Sequence, residues 1–290
     1  MAVLALVAVT AVWGSTFLVI QDSTQRMPAL DFVAARFLIG ALVLAALRPR
    51  AVISLDRAGW SRGAALGLAL GGACILQALG LQRTSATVSA FVSGTFVVFT
   101  PFLSVLVLRR KVTPVTWAGT ALATAGLALL SLRGLTLGIG ETLTLGCALC
   151  ITLQLLGTDL WADGRDACGL ALAQMVTVAL VAATASAAFS PHGLTLVPPD
   201  RSAWFGVLWT AVLATAAALV LQTWAQTRLS AARAGLIMTL EPVFAALFGL
   251  LAGHHLSTRH AFGCALVLIA MVVVEYRSGR RSRGRHRRQG

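Results

Sequence analysis

A chain of 290 residues that is 58% hydrophobic and only 11% charged is not composed like a water-soluble domain, in which about a quarter of the residues carry charge. One or two soluble cores could not bury so much apolar surface, so lipid is the expected solvent. The net charge of +13 does not describe a nucleic-acid-binding face, because seven of the 23 basic residues, Arg277 to Arg288, crowd into the last 14 positions.

A bilayer-crossing helix takes about 20 mostly apolar residues. Ten such runs follow one another, at 2–20, 30–47, 63–82, 86–108, 114–132, 139–158, 169–189, 204–224, 231–252 and 259–276. Hydrocarbon does not tolerate unpaired backbone groups, and the runs lack the alternation of barrel strands. The predicted fold is therefore all-α and polytopic, with ten transmembrane helices.

The first run carries no basic n-region, and the second follows within about ten residues, so it reads as a helix and not as a signal peptide. Trp13, Ser15 and Thr16 lie near its middle. They are candidates to line a cavity; the alternative is a packed indole and hydroxyls bonded to their own helix. In the second run Arg36 lies roughly 9 Å below the surface, at 1.5 Å per residue. It can clamp a carboxylate or phosphate, snorkel to the headgroups, or pair with Asp31. Gly63, Gly67 and Gly71 recur every four residues in the third run, a spacing that lets helices approach closely. Gln77 follows them, and Gln154 stands in the sixth run. A midmembrane amide needs a partner, either a ligand or a neighbouring helix. Pro101 in the fourth run and Pro242 in the ninth are candidate hinges.

Glu241 lies about ten residues into the ninth run, roughly 15 Å deep. An ionised side chain at the centre of a membrane helix costs at least ~2.5–3.5 kcal/mol. Glu241 is expected to face the protein interior or a wet cavity, where it can bind substrate or carry a proton. The alternative is structural: Pro242 removes a donor from the turn before it, and a protonated Glu can serve such a kink. No cofactor, metal or catalytic set is expected. The five cysteines, Cys74, Cys147, Cys150, Cys168 and Cys264, describe no disulfide framework. Cys147 and Cys150 read as small packing residues, and His254, His255 and His260 have no acid or thiol beside them. No histidine lies deep within a run, His260 standing at the very start of the last, which argues against an enzyme, and no GxxxxGK[ST] segment is present to drive a pump with ATP.

Basic residues fix the expected topology. With the N-terminus cytoplasmic, 17 fall inside and five outside, and the bias persists at ten to five without the tail. Both termini are then cytoplasmic, and the arginine-rich tail is expected to lie unstructured against anionic headgroups. The halves also echo each other. Ser85-Ala86 and Ser230-Ala231 stand 145 residues apart, and Gly119 and Gly263 stand 144 apart. Five spans per half is an odd number, so the halves must insert in opposite orientations, an architecture of secondary transporters.

The sequence resembles the EamA-type carriers of the drug/metabolite transporter superfamily. The resemblance rests on Trp13-Gly14-Ser15-Thr16-Phe17, Ala35-Arg36-Phe37, Gln77 to Leu81 with Thr84-Ser85-Ala86, and Glu241-Pro242-Val243-Phe244. It covers about 2–276 as two repeats, 2–132 and 137–276, with 277–290 as a basic cytoplasmic tail. Where family members often have Gly-Glu after helices four and nine, this chain has Arg109-Arg110-Lys111 and Gly253-His254-His255. The chain enters the membrane almost at Met1, which leaves open a start farther upstream. The resemblance implies export of metabolites, amino acids or drug-like compounds across the plasma membrane. A passive small-solute channel or facilitator is the alternative.

Overall fold

The computed structural model describes residues 1–81, 83–84, 89, 92–131, 138–191, 193–251 and 258–286. Helices dominate, and no strand occurs among the described residues. The first half contains α1 (Ala2–Arg26), α2 (Ala29–Leu47), a short α3 (Arg50–Ile53), α4 (Arg57–Leu81), α5 (Phe96–Leu106) and α6 (Pro114–Ser131). The second half contains α7 (Ile139–Trp161), α8 (Ala167–Phe189) and α9 (Arg201–Trp209). A π-helical stretch (Thr210–Ala217) carries α9 into α10 (Ala218–Gln226). Then come α11 (Ala231–Met238), α12 (Glu241–Leu251) and α13 (Thr258–His286).

Local chemistry sets several helix starts. Proline opens α6, where its missing N–H is one of the free donors anyway. Asp166 and Asp200 cap α8 and α9 by accepting the N–H groups of Gly169 and Ala203, at 2.9 and 2.8 Å. Among the described residues, six segments are long and apolar enough to cross a membrane: Ala29–Leu47, Arg57–Gly80, Ile139–Trp161, Ala167–Phe189, Arg201–Gln226 and Ala231–Phe248. Four shorter apolar helices lie at Ala2–Thr16, Val92–Leu106, Pro114–Leu129 and Ala261–Val274. At the C-terminus, helix continues to His286 where an unstructured tail was expected; arginine is a good helix former and extends α13.

The exterior is apolar while the interior holds polar groups. Leu42, Leu68, Leu180 and Phe262 are exposed, whereas Thr10, Thr144, Gln174 and Thr223 are completely buried. An outward leucine surface of this kind is stable in lipid and a liability in water.

The packing pattern has a twofold relation between halves. In order, α1, α2, α4, α5 and α6 correspond to α7, α8, the α9–α10 rod, the α11–α12 pair and α13. The contact of α4 with α7 has its counterpart in the α9–α10 rod against α1, and α4 on α8 matches that rod on α2. Likewise α5 on α7 matches α12 on α1, while α2 with α8, α5 with α11 and α6 with α13 pair corresponding helices directly. The glycine stripe of α4 serves this packing. A β-carbon at Gly63 would stand 2.4 Å from Ala173 Cβ, and one at Gly67 would stand 2.6 Å from Thr177 Cβ, both on α8.

The helix expected over 231–252 is broken. A turn at Thr239-Leu240 separates α11 from α12. Pro242 therefore does not kink a continuous helix. It occupies the first turn of α12, where a proline costs little because no N–H is needed there. The first half is interrupted at the corresponding place: a turn at Thr95 precedes α5, 145 residues before Leu240. Pro101 lies buried inside α5, one turn beyond that interruption.

Candidate functional site

The break between α11 and α12 puts Glu241 at the amino end of a half-helix, where the backbone dipole favours a negative group. Directly against it lies Gly14 of α1. A β-carbon there would stand 2.9 Å from the Glu241 carbonyl oxygen, 2.8 Å from the Ala245 nitrogen and 2.7 Å from Phe244 Cβ. Only a glycine admits this approach. The residue before it, Trp13, donates its indole N–H to the carbonyl of Ala214 at 2.8 Å. Ala214 belongs to the π-helical stretch, a backbone form in which i→i+5 bonding displaces carbonyls from their α-helical direction and which recurs at functional sites. Trp13-Gly14 thus touches two irregular backbones of the second half at once.

Gly40 of α2 makes the matching approach to the same π stretch. Its β-carbon would stand 3.0 Å from the Ala211 carbonyl oxygen and 3.4 Å from Thr215 Cγ2. Arg36 lies one turn earlier on this face of α2. Its guanidinium stacks on Phe37 at 4.9 Å and approaches Phe32 at 5.8 Å from the ring centroids. Arg36 does not ion-pair with Asp31; that carboxylate accepts from Ser186 of α8 instead. Arg36 Nε is buried without a hydrogen-bond partner, as is Thr215 Oγ1. Cys74 of α4 is an electrostatic neighbour of Arg36, Cys147 of α7 is a neighbour of Cys74, and Glu241 is a neighbour of Cys147. Gln77, one turn beyond Cys74 on α4, is half-buried.

The remaining predicted residues resolve differently. Ser15 and Thr16 donate to the Val12 and Trp13 carbonyls at 2.7 and 2.9 Å, so their protons serve α1 itself. Gln154 belongs to a buried amide network and not to an open wall. It donates to Gln174 Oε1 at 2.9 Å and accepts from Gln222 Nε2 at 3.1 Å. Gln222 is also bonded to Gln226, which donates to the Leu155 carbonyl. This network ties α7, α8 and α10 together. Gln174, Gln222 and Gln226 escaped the sequence reading, although glutamine inside an apolar run is itself a signal. His254, His255, Ser85 and Ala86 lie outside the described residues. Among those described, no group of three or more His, Cys, Asp or Glu could hold a metal ion.

Polar clamps close the two ends of the bundle. At one end Arg26 of α1 pairs with Asp22 at 2.9 Å and with Asp200, before α9, at 3.2 Å. Ser202 donates to Asp22 at 3.1 Å. The hydrogen bond from Arg26 holds the Asp22 carboxyl below the usual carboxylate range, and the Ala203 N–H does the same for Asp200. At the other end Asp159 of α7 accepts from Arg110 and, at 3.2 Å, from the Ala231 N–H that begins α11.

Comparison with known proteins agrees with this architecture. The EamA-like transporter family model matches residues 1–132 and again 139–276. An uncharacterized transporter of Archaeoglobus fulgidus is 30% identical over 278 residues, which cover 94% of this chain and 85% of that protein. A solved structure described only as the crystal structure of a protein has the same fold, with a TM-score of 0.82 at 20% identity over 96% of this chain and 98% of its own. The two matched segments fall on the two halves related by the packing, and the chain belongs to the EamA-like transporter family.

Proposed function

We propose that this transporter is a secondary carrier that exports small organic solutes, such as metabolites, amino acids or drug-like compounds, across the plasma membrane by alternating access. In this reading the chain crosses the bilayer ten times with both termini cytoplasmic, in accord with the excess of arginine on that side. Substrate binds between the halves, near Trp13, Arg36, Gln77 and Glu241, and Glu241 couples flux to protons. The observation that carries the reading is the interrupted α11–α12 pair, with Glu241 at the interruption and a matching interruption before α5. Discontinuous helices in corresponding positions of two repeats are where secondary transporters build their sites. A carboxyl that must shed its charge to move through an apolar interior is suited to carry a proton.

The test is counterflow in proteoliposomes across a solute panel, with and without an imposed proton gradient. Saturable, trans-stimulated flux that follows the gradient is expected, and Glu241→Gln should abolish the gradient dependence while leaving insertion intact. Non-saturable flux without trans-stimulation would identify a passive channel instead. Saturable flux indifferent to the gradient would identify a facilitator.

A further inference from the structure

A cleft lies away from the site described above. It encloses about 580 Å³ where the C-terminal ends of α2 and α10 meet the turn between α7 and α8. Three guanidinium groups line it, from Arg48, Arg165 and Arg228, along with the carboxylates of Asp163 and Asp166. The charges are not equally available. Asp166 spends one oxygen on the α8 cap. Arg165 is anchored on the Trp161 carbonyl at 2.8 Å. Arg228 stacks on Trp224 at 4.3 Å and is steadied by Thr227. The exposed Arg48 side chain makes no hydrogen bond or ion pair among the described residues. One net positive charge remains, with Arg165 and Arg228 held in place and Arg48 free to reach a ligand.

The position of the cleft selects its ligand. Arg48 is the first residue beyond α2, and Arg228 lies two residues beyond α10. Both apolar helices stop here, so the cleft opens at headgroup depth. Leu47 and Leu221, 74% and 38% exposed, lead from it along the lipid-facing surface. Tryptophan beside such a cleft is at home in the interfacial zone. Basic pockets between membrane helices are suited to phosphate headgroups, and guanidinium groups bind phosphate oxygens in pairs.

We propose that this cleft binds an anionic phospholipid with a hydroxylated headgroup. Arg48 and Arg228 clasp the phosphodiester, the headgroup hydroxyls donate to Asp163, and an acyl chain lies over Leu221. The single negative charge of such a lipid matches the residual positive charge of the cleft. The site is separate from the basic tail and does not depend on which solute is transported.

Thermal melting of the purified full-length chain in detergent tests this, with phosphatidylglycerol, phosphatidylethanolamine, phosphatidylcholine or soluble glycerol 3-phosphate added. Phosphatidylglycerol should raise the melting temperature, the zwitterionic lipids should do so far less, and glycerol 3-phosphate should have no effect. Because both arginines are exposed, Arg48→Gln/Arg228→Gln should fold normally and bind phosphatidylglycerol about thirtyfold more weakly. Arg50→Gln, which removes an exposed charge outside the cleft, should stay within about twofold of wild type. Equal stabilisation by phosphatidylethanolamine would overturn the anionic headgroup. Equal stabilisation by glycerol 3-phosphate would make the cleft a soluble-solute site. An Arg50 effect as large as the double substitution would reduce the site to general surface charge.

Discussion

Gly14 of α1 rests on the backbone of Glu241, with room for no side-chain atom between them: a β-carbon at position 14 would stand 2.9 Å from the Glu241 carbonyl oxygen. Its other near neighbours are Phe244 Cβ and the Ala245 nitrogen, which are fixed parts of α12 and not flexible side-chain ends. In Gly14→Ala, α1 and α12 must move apart. Overpacking of this kind costs about 1–3 kcal/mol. A lower melting temperature is expected, with flux reduced more than the amount of inserted protein. Wild-type melting and flux in Gly14→Ala would show that the contact is not needed in the working states.

The clamp on Asp159 predicts an asymmetry between its two partners. Arg110 is 45% exposed at the side chain, so its pair with Asp159 is screened by solvent and is worth at most about 1 kcal/mol. Asp159 itself is 9% exposed and also caps α11 through the Ala231 N–H. Losing a cap costs about 0.5–2 kcal/mol. Asp159→Ala should therefore lower the melting temperature clearly more than Arg110→Ala. Equal effects would mean that the ion pair to Arg110 accounts for the whole contribution of Asp159 and that the cap on α11 adds nothing.

The amide network allows a test in which two wrongs partly cancel. Gln174→Leu strands the Gln154 amide in the interior, at a cost of about 1–3 kcal/mol. Adding Gln154→Leu removes the stranded donor, so the double variant should melt higher than the sum of the single losses allows. Coupling between polar groups of membrane helices averages about 0.6 kcal/mol. Additive losses with no coupling would place these glutamines in separate roles.

These relationships were not equally legible in the amino-acid sequence. Glu241 stood out because a carboxyl in an apolar run is costly wherever its helix points. The α4 glycines stood out because their spacing implies a close neighbour. Neither reading could name the partner, which depends on how the halves dock. The π stretch, Thr210–Ala217, has an unremarkable composition, and its register is set by backbone bonding and by the indole of Trp13. Gln154 was visible as a polar group in need of a partner, but three other glutamines supply its network and no substrate is required. Of the partners expected for Arg36, Asp31 is taken by Ser186, and the guanidinium lies against Phe37 and Phe32 of its own helix. Helix 231–252 read as continuous because its hydropathy is continuous, whereas the break is made by a two-residue turn before Pro242.

Two carboxylates, Asp22 and Glu241, allow the closing of the bundle to be tested apart from the proton coupling proposed for Glu241. Asp22 is held below the usual carboxylate range by Arg26. With a lowered pKa in the folded state, its contribution is complete above the unfolded value and is lost only as pH falls through the lowered one. The Asp22–Arg26–Asp200 clamp is therefore constant through neutral pH. Asp22→Asn removes that charge at every pH and should shift flux by a similar factor across the profile, leaving the profile's shape unchanged. Glu241→Gln removes the group assigned to the proton and should flatten the profile. The check is flux against pH for both variants in the same vesicles. A flattened profile in Asp22→Asn, or an unchanged one in Glu241→Gln, would move proton coupling away from the interrupted helix.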